Sequence, residues 1–266
     1  MNKVILITGA SSGFGKATAE MLAKKGHVVY GTSRKTQRDG TFHFLQMDVK
    51  NPESVRIGVE EILRREGRID VAICNAGIGI GGALELATQE EIQEQMHTNF
   101  MGCVNVCQQV LPHMRQQGLG RIVNLSSIGG IMGLPFQGFY SASKFAIEGF
   151  TEALAAETRG YGIDVCMVEP GDFATGFTSA RKKSTKTAQD AAYGPVFART
   201  LSLVEKEEQS GLKPEKLAKT ICHIVECRKP RLRYCVATWE QKLSVLIKRL
   251  LPGNWMVGIL RTYYKV

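Results

Sequence analysis

The sequence contains no CxxC pair, no HExxH or related histidine spacing, and no uninterrupted apolar run long enough to span a bilayer. Each lack narrows the field. The seven cysteines (74, 103, 107, 166, 222, 227 and 235) are an odd, scattered set that suggests neither a disulfide framework nor a zinc site. Reduced thiols in a cytoplasmic compartment are expected. Five histidines without ligand spacing give a metal site no support. The longest apolar stretch, LSVLIKRLLPGNWMVGIL, is broken by Lys248, Arg249, Pro252 and Gly253, so it makes a poor transmembrane span. The opening MNKVILITGA enters a strand pattern at once, and no secretory signal is expected. Acidic residues are scarce in one region only. Residues 178–266 carry 7 Asp+Glu against 18 Lys+Arg, whereas residues 1–177 carry 18 against 16. The whole net charge of +9 therefore lies in the last third. No recognition motif accompanies that charge, which argues against nucleic acid as a partner.

The 266 residues, 44% hydrophobic and 22% charged, are those of an ordinary globular chain. VILITG, HVVYGTS, FHFLQMD, VAICNAG, RIVNLSS and DVCMVEPG are continuous apolar runs suited to strands buried on both faces. Helix-length segments at about 13–25, 52–65, 88–117 and 140–160 alternate with them. Asn51 and Pro52 are a plausible N-cap and first helical residue. This alternation predicts an α/β fold, a parallel sheet with helices on both faces joined by right-handed crossovers. Residues 172–213, with the basic run RKKSTK, read as a long, partly helical loop, which is more often functional than idle. A helix near 214–228 and a last strand, RLRYCVA, follow. Two amphipathic pieces end the chain: Trp239, Leu243, Leu246, Ile247, Leu250 and Leu251 form one stripe, Trp255, Ile259 and Tyr263 another. No repeat or linker divides the chain, so 1–266 is expected to be a single domain. In it, 1–177 form a core and 178–266 a loop, a last helix and strand, and a basic extension.

Gly9, Gly13 and Gly15 lie between the first strand and the first helix, in TGASSGFG. A helix N-terminus there suits a pyrophosphate, and glycine lets the backbone approach it closely. The spacing differs from G-x-G-x-x-G, and a plain tight turn is the alternative. The second strand ends in Ser33 and Arg34 with no carboxylate to hold a ribose 2′-hydroxyl. Arg34 can pair with a 2′-phosphate instead, which favours NADP(H) over NAD(H). Further along, Tyr140 and Lys144 stand one helical turn apart. That pair is either a surface contact or a proton donor beside an ammonium.

TGASSGFG, NAG at 75–77, Asn99, NLSS ending at Ser127, YSASK at 140–144 and PGDFAT at 170–175 together resemble the short-chain dehydrogenase/reductase family. They occur in that family's order across residues 4–175. The resemblance implies a Rossmann-type, doubly wound parallel sheet of about seven strands with a C-terminal helical extension. It implies Tyr140 as catalytic acid/base, Lys144 as the ammonium that favours its phenolate and bonds the nicotinamide ribose, and Ser127 as the hydroxyl that polarises the substrate oxygen. Ser126 points to the other face of the strand. Asn99 is expected to hold a water in the proton relay. Ser11, Ser12, Gly13 and Phe14 would meet the cofactor beside Gly9 and Gly15. Asp48 and Val49 would flank the adenine; Asn75, Ala76 and Gly77 its ribose; Pro170, Gly171 and Thr175 the nicotinamide amide. Phe14 departs from the small aliphatic residue usual at its position.

SSIGGIMGLPFQGFY further resembles the hydroxysteroid and retinol dehydrogenase branch, with Ile131, Met132, Leu134 and Phe136 offered as an apolar wall. The expected reaction is hydride transfer between nicotinamide and a carbonyl or secondary alcohol of an apolar substrate, such as a steroid, retinoid or lipid-like ketone. A 3-oxoacyl-thioester reductase and a non-catalytic NADP-binding scaffold are the alternatives. The C-terminal stripes are expected to act as a lid or subunit interface, with weak contact to a membrane surface as a further role. A homodimer or homotetramer is the expected assembly, through helices corresponding to 103–117 and 140–160.

Overall fold

A computed structural model describes residues 2–266. In chain order the elements are β1 (Val4–Ile7), α1 (Gly13–Lys24), β2 (Val28–Ser33), β3 (His43–Gln46), α2 (Pro52–Glu66), β4 (Val71–Cys74) and β5 (Ile80–Gly81). Then come α3 (Gln89–Met96), α4 (Gly102–Gln117), β6 (Gly120–Leu125), α5 (Gly138–Thr158), β7 (Ile163–Pro170), α6 (Phe177–Ala180), β8 (Lys182–Lys183) and α7 (Thr185–Gln189). The chain closes with α8 (Gly194–Gln209), α9 (Pro214–Glu226), β9 (Arg233–Val236), α10 (Trp239–Leu250) and α11 (Gly253–Tyr264).

Seven strands form one sheet in the order β3-β2-β1-β4-β6-β7-β9, every pair parallel; β5 and β8 pair separately. The seven apolar runs are these seven strands. β1, β4 and β6 are buried throughout, as parallel strands covered on both faces must be. β3 differs: at the sheet edge, its His43 and Gln46 are exposed. Alternate side chains serve opposite layers. Leu6, Ala72 and Ile122 pack under α2 and α4 with Val59, Ile62, Val106 and Val110. Ile5, Ile7, Ile73 and Val123 pack under α1 and α9 with Leu22, Leu217 and Ile221. Each such side chain contributes about 2 kcal/mol on burial, more than an exposed ion pair such as Arg56–Glu60 contributes at roughly 0–1 kcal/mol. The two apolar layers therefore hold the fold.

Local signals act as expected at α2, where Asn51 Oδ1 accepts from the backbone N–H of Glu53 and Ser54 at 3.0 and 3.3 Å. The segment expected as one helix over 88–117 is two, α3 and α4, joined by a π-helical turn at His97–Met101. The stretch 172–213 is more ordered than a loop, since α8 alone runs sixteen residues. No helix among the described residues is long and apolar enough to cross a membrane.

The C-terminal stripes correct an expectation. Val245 and Met256, not the tryptophans, are the buried residues of α10 and α11. With Ile247 and Leu260 they pack on Ile128, Ile131, Met132 and Leu134. Trp239, Leu250 and Trp255 stay 71, 74 and 68% exposed. The helices do cover the site, but through the flank of the stripe.

Candidate active site

The carboxyl ends of the strands open into one cavity of about 970 Å³. It lies where β1 and β4 diverge to opposite halves of the sheet, the switch point at which open α/β sheets bind ligands.

At one end the turn after β1 brings Gly9, Ser11, Ser12, Gly13 and Phe14 to the cavity wall. Gly9 and Gly13 have φ of +67° and +54°, conformations costly for other residues. Gly15 lies behind the wall, where a Cβ would come within 2.3 Å of the Gly9 carbonyl oxygen and 2.6 Å of the Asn75 amide nitrogen. No side chain caps the start of α1, so its first N–H groups stay available to an anion. Ser33 and Arg34 line the same end, joined by Lys35 and Lys50, which sequence reasoning missed. Among the described residues Arg34 makes no ion pair. Asp48 and Val49 also line it. Asp48 Oδ1 also accepts from Lys50 N–H at 3.0 Å, so one of its oxygens shapes the turn. This basic, glycine-lined end fits a dinucleotide.

Asn75, Ala76 and Gly77 form the wall beyond β4. The Asn75 side chain donates to the carbonyls of Thr8 and Gly9 at 2.8 and 3.1 Å, so it ties the glycine turn to β4. Phe14 packs its ring edge-on against Phe173, with centroids 4.9 Å apart, which leaves its backbone to the cavity.

Ser127, Tyr140 and Lys144 meet at the middle of the cavity. Ser127 follows β6, and its Oγ accepts from Gly129 N–H at 3.0 Å. A Cβ on Gly129 would stand 3.3 Å from Tyr140 Cε1 and 3.4 Å from Ser127 Oγ, which places phenol and hydroxyl side by side. Lys144 Nζ donates to the Leu125 carbonyl at 2.8 Å and lies 5.8 Å from the Tyr140 ring centre. Burial pulls the Lys144 ammonium down to about 8. Burial also raises the Tyr140 phenol; Ser127 opposes the rise, and the charges of Glu208 and Asp172 add to it. A protonated phenol, a hydroxyl and a nearby ammonium can together deliver a proton to a carbonyl oxygen. Asn99, in the π-helical turn, is buried behind the wall rather than on it. Its Oδ1 accepts from Ile78 N–H at 2.8 Å, and its Nδ2 donates to Ile78 O and Ser143 Oγ, both at 3.1 Å. The side chain expected to hold a water is thus engaged with the chain after Gly77.

Pro170, Gly171 and Thr175 continue the wall from β7. Gly171 is needed where it stands: a Cβ would lie 2.1 Å from Gln241 Oε1 and 2.8 Å from Ala237 Cβ. Of the expected apolar wall, Met132 and Leu134 face the cavity, joined by Ile128. Phe136 instead packs against Phe197 at 5.4 Å and Tyr193 at 6.3 Å, turned away by its φ of +56°. Val204, Met256, Ile259 and Leu260 complete the apolar chamber from α8 and α11. Asp172, Glu207, Glu208 and Glu240 line the same region. None of these was found from sequence, and apart from Asp172 beside the PG motif no local signal marks them.

Cys74, Cys103 and Cys107 also converge, with their sulfurs all within 4.8 Å of one another in the core. Spacing along the chain gave no sign of this group, because it joins β4 to one face of α4.

The short chain dehydrogenase profile matches residues 3–186. A 3-ketodihydrosphingosine reductase of Bacteroides thetaiotaomicron is 54% identical over 99% of this chain and 98% of its own. Human 17-beta-hydroxysteroid dehydrogenase type 1 is 35% identical over 93% of this chain and 80% of its own. An NADPH-dependent 3-dehydrocapnine reductase of Ornithobacterium rhinotracheale is 32% identical, covering 87% of each chain. The hydroxysteroid-like resemblance and the dinucleotide fold therefore stand together: this chain is an oxidoreductase belonging to the short-chain dehydrogenase/reductase family.

Proposed function

We propose that the protein is an NADPH-dependent reductase of a long-chain lipid ketone. The observation that carries this reading is the meeting of Ser127, Tyr140 and Lys144 between a basic, glycine-lined pocket and an apolar chamber roofed by α10 and α11. Two relatives bear names of reductases of long-chain keto compounds, and one of those names specifies NADPH. In this reading NADPH supplies the hydride. Ser127 holds the carbonyl oxygen, Tyr140 gives it a proton, and Lys144 stabilises the phenolate left behind and bonds the nicotinamide ribose. Asn99 fixes the chain at Ile78 and so positions the relay. Arg34, helped by Lys35, pairs with the 2′-phosphate. The glycine turn with Ser11 and Ser12 takes the pyrophosphate, Asp48 and Val49 the adenine, Asn75 to Gly77 its ribose, and Pro170, Gly171 and Thr175 the nicotinamide amide. A steroid or a 3-oxoacyl thioester would also find an apolar wall here, but only the lipid ketone is matched by the relative of highest identity named above. A scaffold without turnover has no use for the three converging polar groups.

Seven free thiols favour the cytoplasm. Pairing of two copies through α4 and α5 completes the reading, with Phe145 on α5 and Met101 at the head of α4 both exposed.

The test is NADPH oxidation with long-chain 3-keto lipids, run beside Tyr140→Phe. Removing a general acid should lower kcat/KM by about a hundredfold or more while NADPH binding persists. Undiminished turnover in the variant would overturn the assignment.

A further inference from the structure

The cavity is charged in two halves of opposite sign. Its basic lining residues are Arg34, Lys35 and Lys50 at the cofactor end and Lys144 in the middle. Its substrate end is lined by Asp172, Glu207, Glu208 and Glu240, and among the described residues no Lys, Arg or His lines that end. This runs against the surrounding sequence, since residues 178–266 carry an excess of eleven positive charges, 18 against 7. A wall that is acidic inside the most basic part of the chain is not an average of its composition.

One of these carboxylates is already neutralised. Glu208 pairs with the buried Arg181 and accepts from Thr178 Oγ1 at 2.7 Å. Asp172 and Glu207 have only uncharged partners. Asp172 Oδ2 accepts from Gln241 Nε2 at 2.6 Å, and Glu207 accepts from the Tyr263 hydroxyl. Neither makes an ion pair among the described residues. Asp172 is also close to the reacting position. It stands two residues after Pro170, whose carbonyl faces Ser127 Oγ at 3.5 Å. Two half-buried anions beside a phenol that must become a phenolate oppose that step, unless the substrate brings a positive charge of its own.

We propose that Asp172 and Glu207 select a ketone that carries a protonated amine on the carbon next to the carbonyl, with its alkyl chain in the apolar chamber. This rests on the reductase reading and refines its substrate. An ammonium at that position satisfies the free carboxylate oxygens through charge-assisted hydrogen bonds. The ketones named for two of the relatives, 3-ketodihydrosphingosine and 3-dehydrocapnine, are both 2-amino-3-keto compounds, so the printed names and the charge of the wall point the same way.

The selection is pH-dependent. Burial and the charges of Glu208 and Glu207 push the Asp172 carboxyl up to about 6, against Gln241 and Arg181, which lower it. Tyr140, Tyr263 and Tyr264 are the other titratable groups that share its field. Below about pH 6 Asp172 is protonated and loses its hold on the amine.

The experiment compares a long-chain 2-amino-3-ketone with its N-acetyl amide as substrates of the native protein, Asp172→Asn, Glu207→Gln and the double variant, each with NADPH. The native enzyme should favour the amine by about tenfold or more for each carboxylate, mainly in KM, and less below pH 6. Each single variant should lose about tenfold of that preference, and the double variant nearly all of it. Equal use of both substrates by the native enzyme, or an intact preference in the double variant, overturns the inference and leaves the reductase reading standing. If neither ketone is reduced, the reductase reading fails instead. Thermal shifts with dihydrosphingosine and N-acetyldihydrosphingosine then decide the acidic wall alone. Stabilisation by the free amine only, lost in the double variant, supports it; equal stabilisation by both overturns it.

Discussion

Asn75 and Asn99 sit in motifs that read as binding residues, yet both side chains are engaged within the protein. Asn75 ties the glycine turn to β4, and Asn99 fixes the chain at Ile78. A motif marks where shape is demanded, and much of that demand is met by internal bonds. Arg34 is the opposite case, a guanidinium at the cavity wall without a carboxylate partner. Replacing Arg34 with Ala should reduce the preference for NADPH over NADH by about tenfold or more, since a charge-assisted contact to the 2′-phosphate disappears. Steady-state kinetics with both cofactors measure it; an unchanged ratio would exclude Arg34 from that contact. The residues legible in the sequence were those in short local patterns, such as Tyr140 with Lys144. Glu207 was illegible because it meets Asp172 from 35 positions along the chain, on a different helix.

At the level of elements, apolar runs identified every strand of the main sheet, because strands buried on both faces have few alternatives. The π-helical turn between α3 and α4 was hidden, since its residues keep a helical pattern. The closure of α10 on the core was hidden too. It depends on one junction, where Gln241 caps its own helix at Thr238 and also meets Asp172 beside Gly171. A methyl group at Gly171 would displace Gln241 from both partners. Gly171→Ala should therefore cost about 1–3 kcal/mol of stability and loosen α10 and α11 selectively. Hydrogen exchange should rise first in those two helices while the strands stay protected. Uniform loosening of the whole fold would show that the junction has no such local role.

For the molecule as a whole, the notable asymmetry is outside rather than within. Trp239, Leu246, Leu250, Trp255 and Val257 are exposed on the same two helices that carry Lys242, Lys248, Arg249 and Arg261. Such a surface suits the interface of an anionic bilayer, from which a lipid ketone would be drawn. The protein should sediment with vesicles containing phosphatidylserine, less with neutral ones, and less again as salt rises. Trp239→Ser with Trp255→Ser should abolish most of that binding. Equal sedimentation of the native and substituted proteins would remove the surface from consideration.

The roof over the cavity is also the end of the chain. Beyond Ala237 it is tethered on one side only, while its far end rests on α8 through Tyr263 with Glu207, Tyr264 with Thr200, and Lys265 with Arg199. A flap closed at both ends must bend at two hinges. One hung from a single end can fray inward from Val266, losing those contacts one after another with no loop to re-close. Admission of a long alkyl chain then becomes a matter of peeling an edge, and the tail can slide in sideways while the sheet beneath stays rigid.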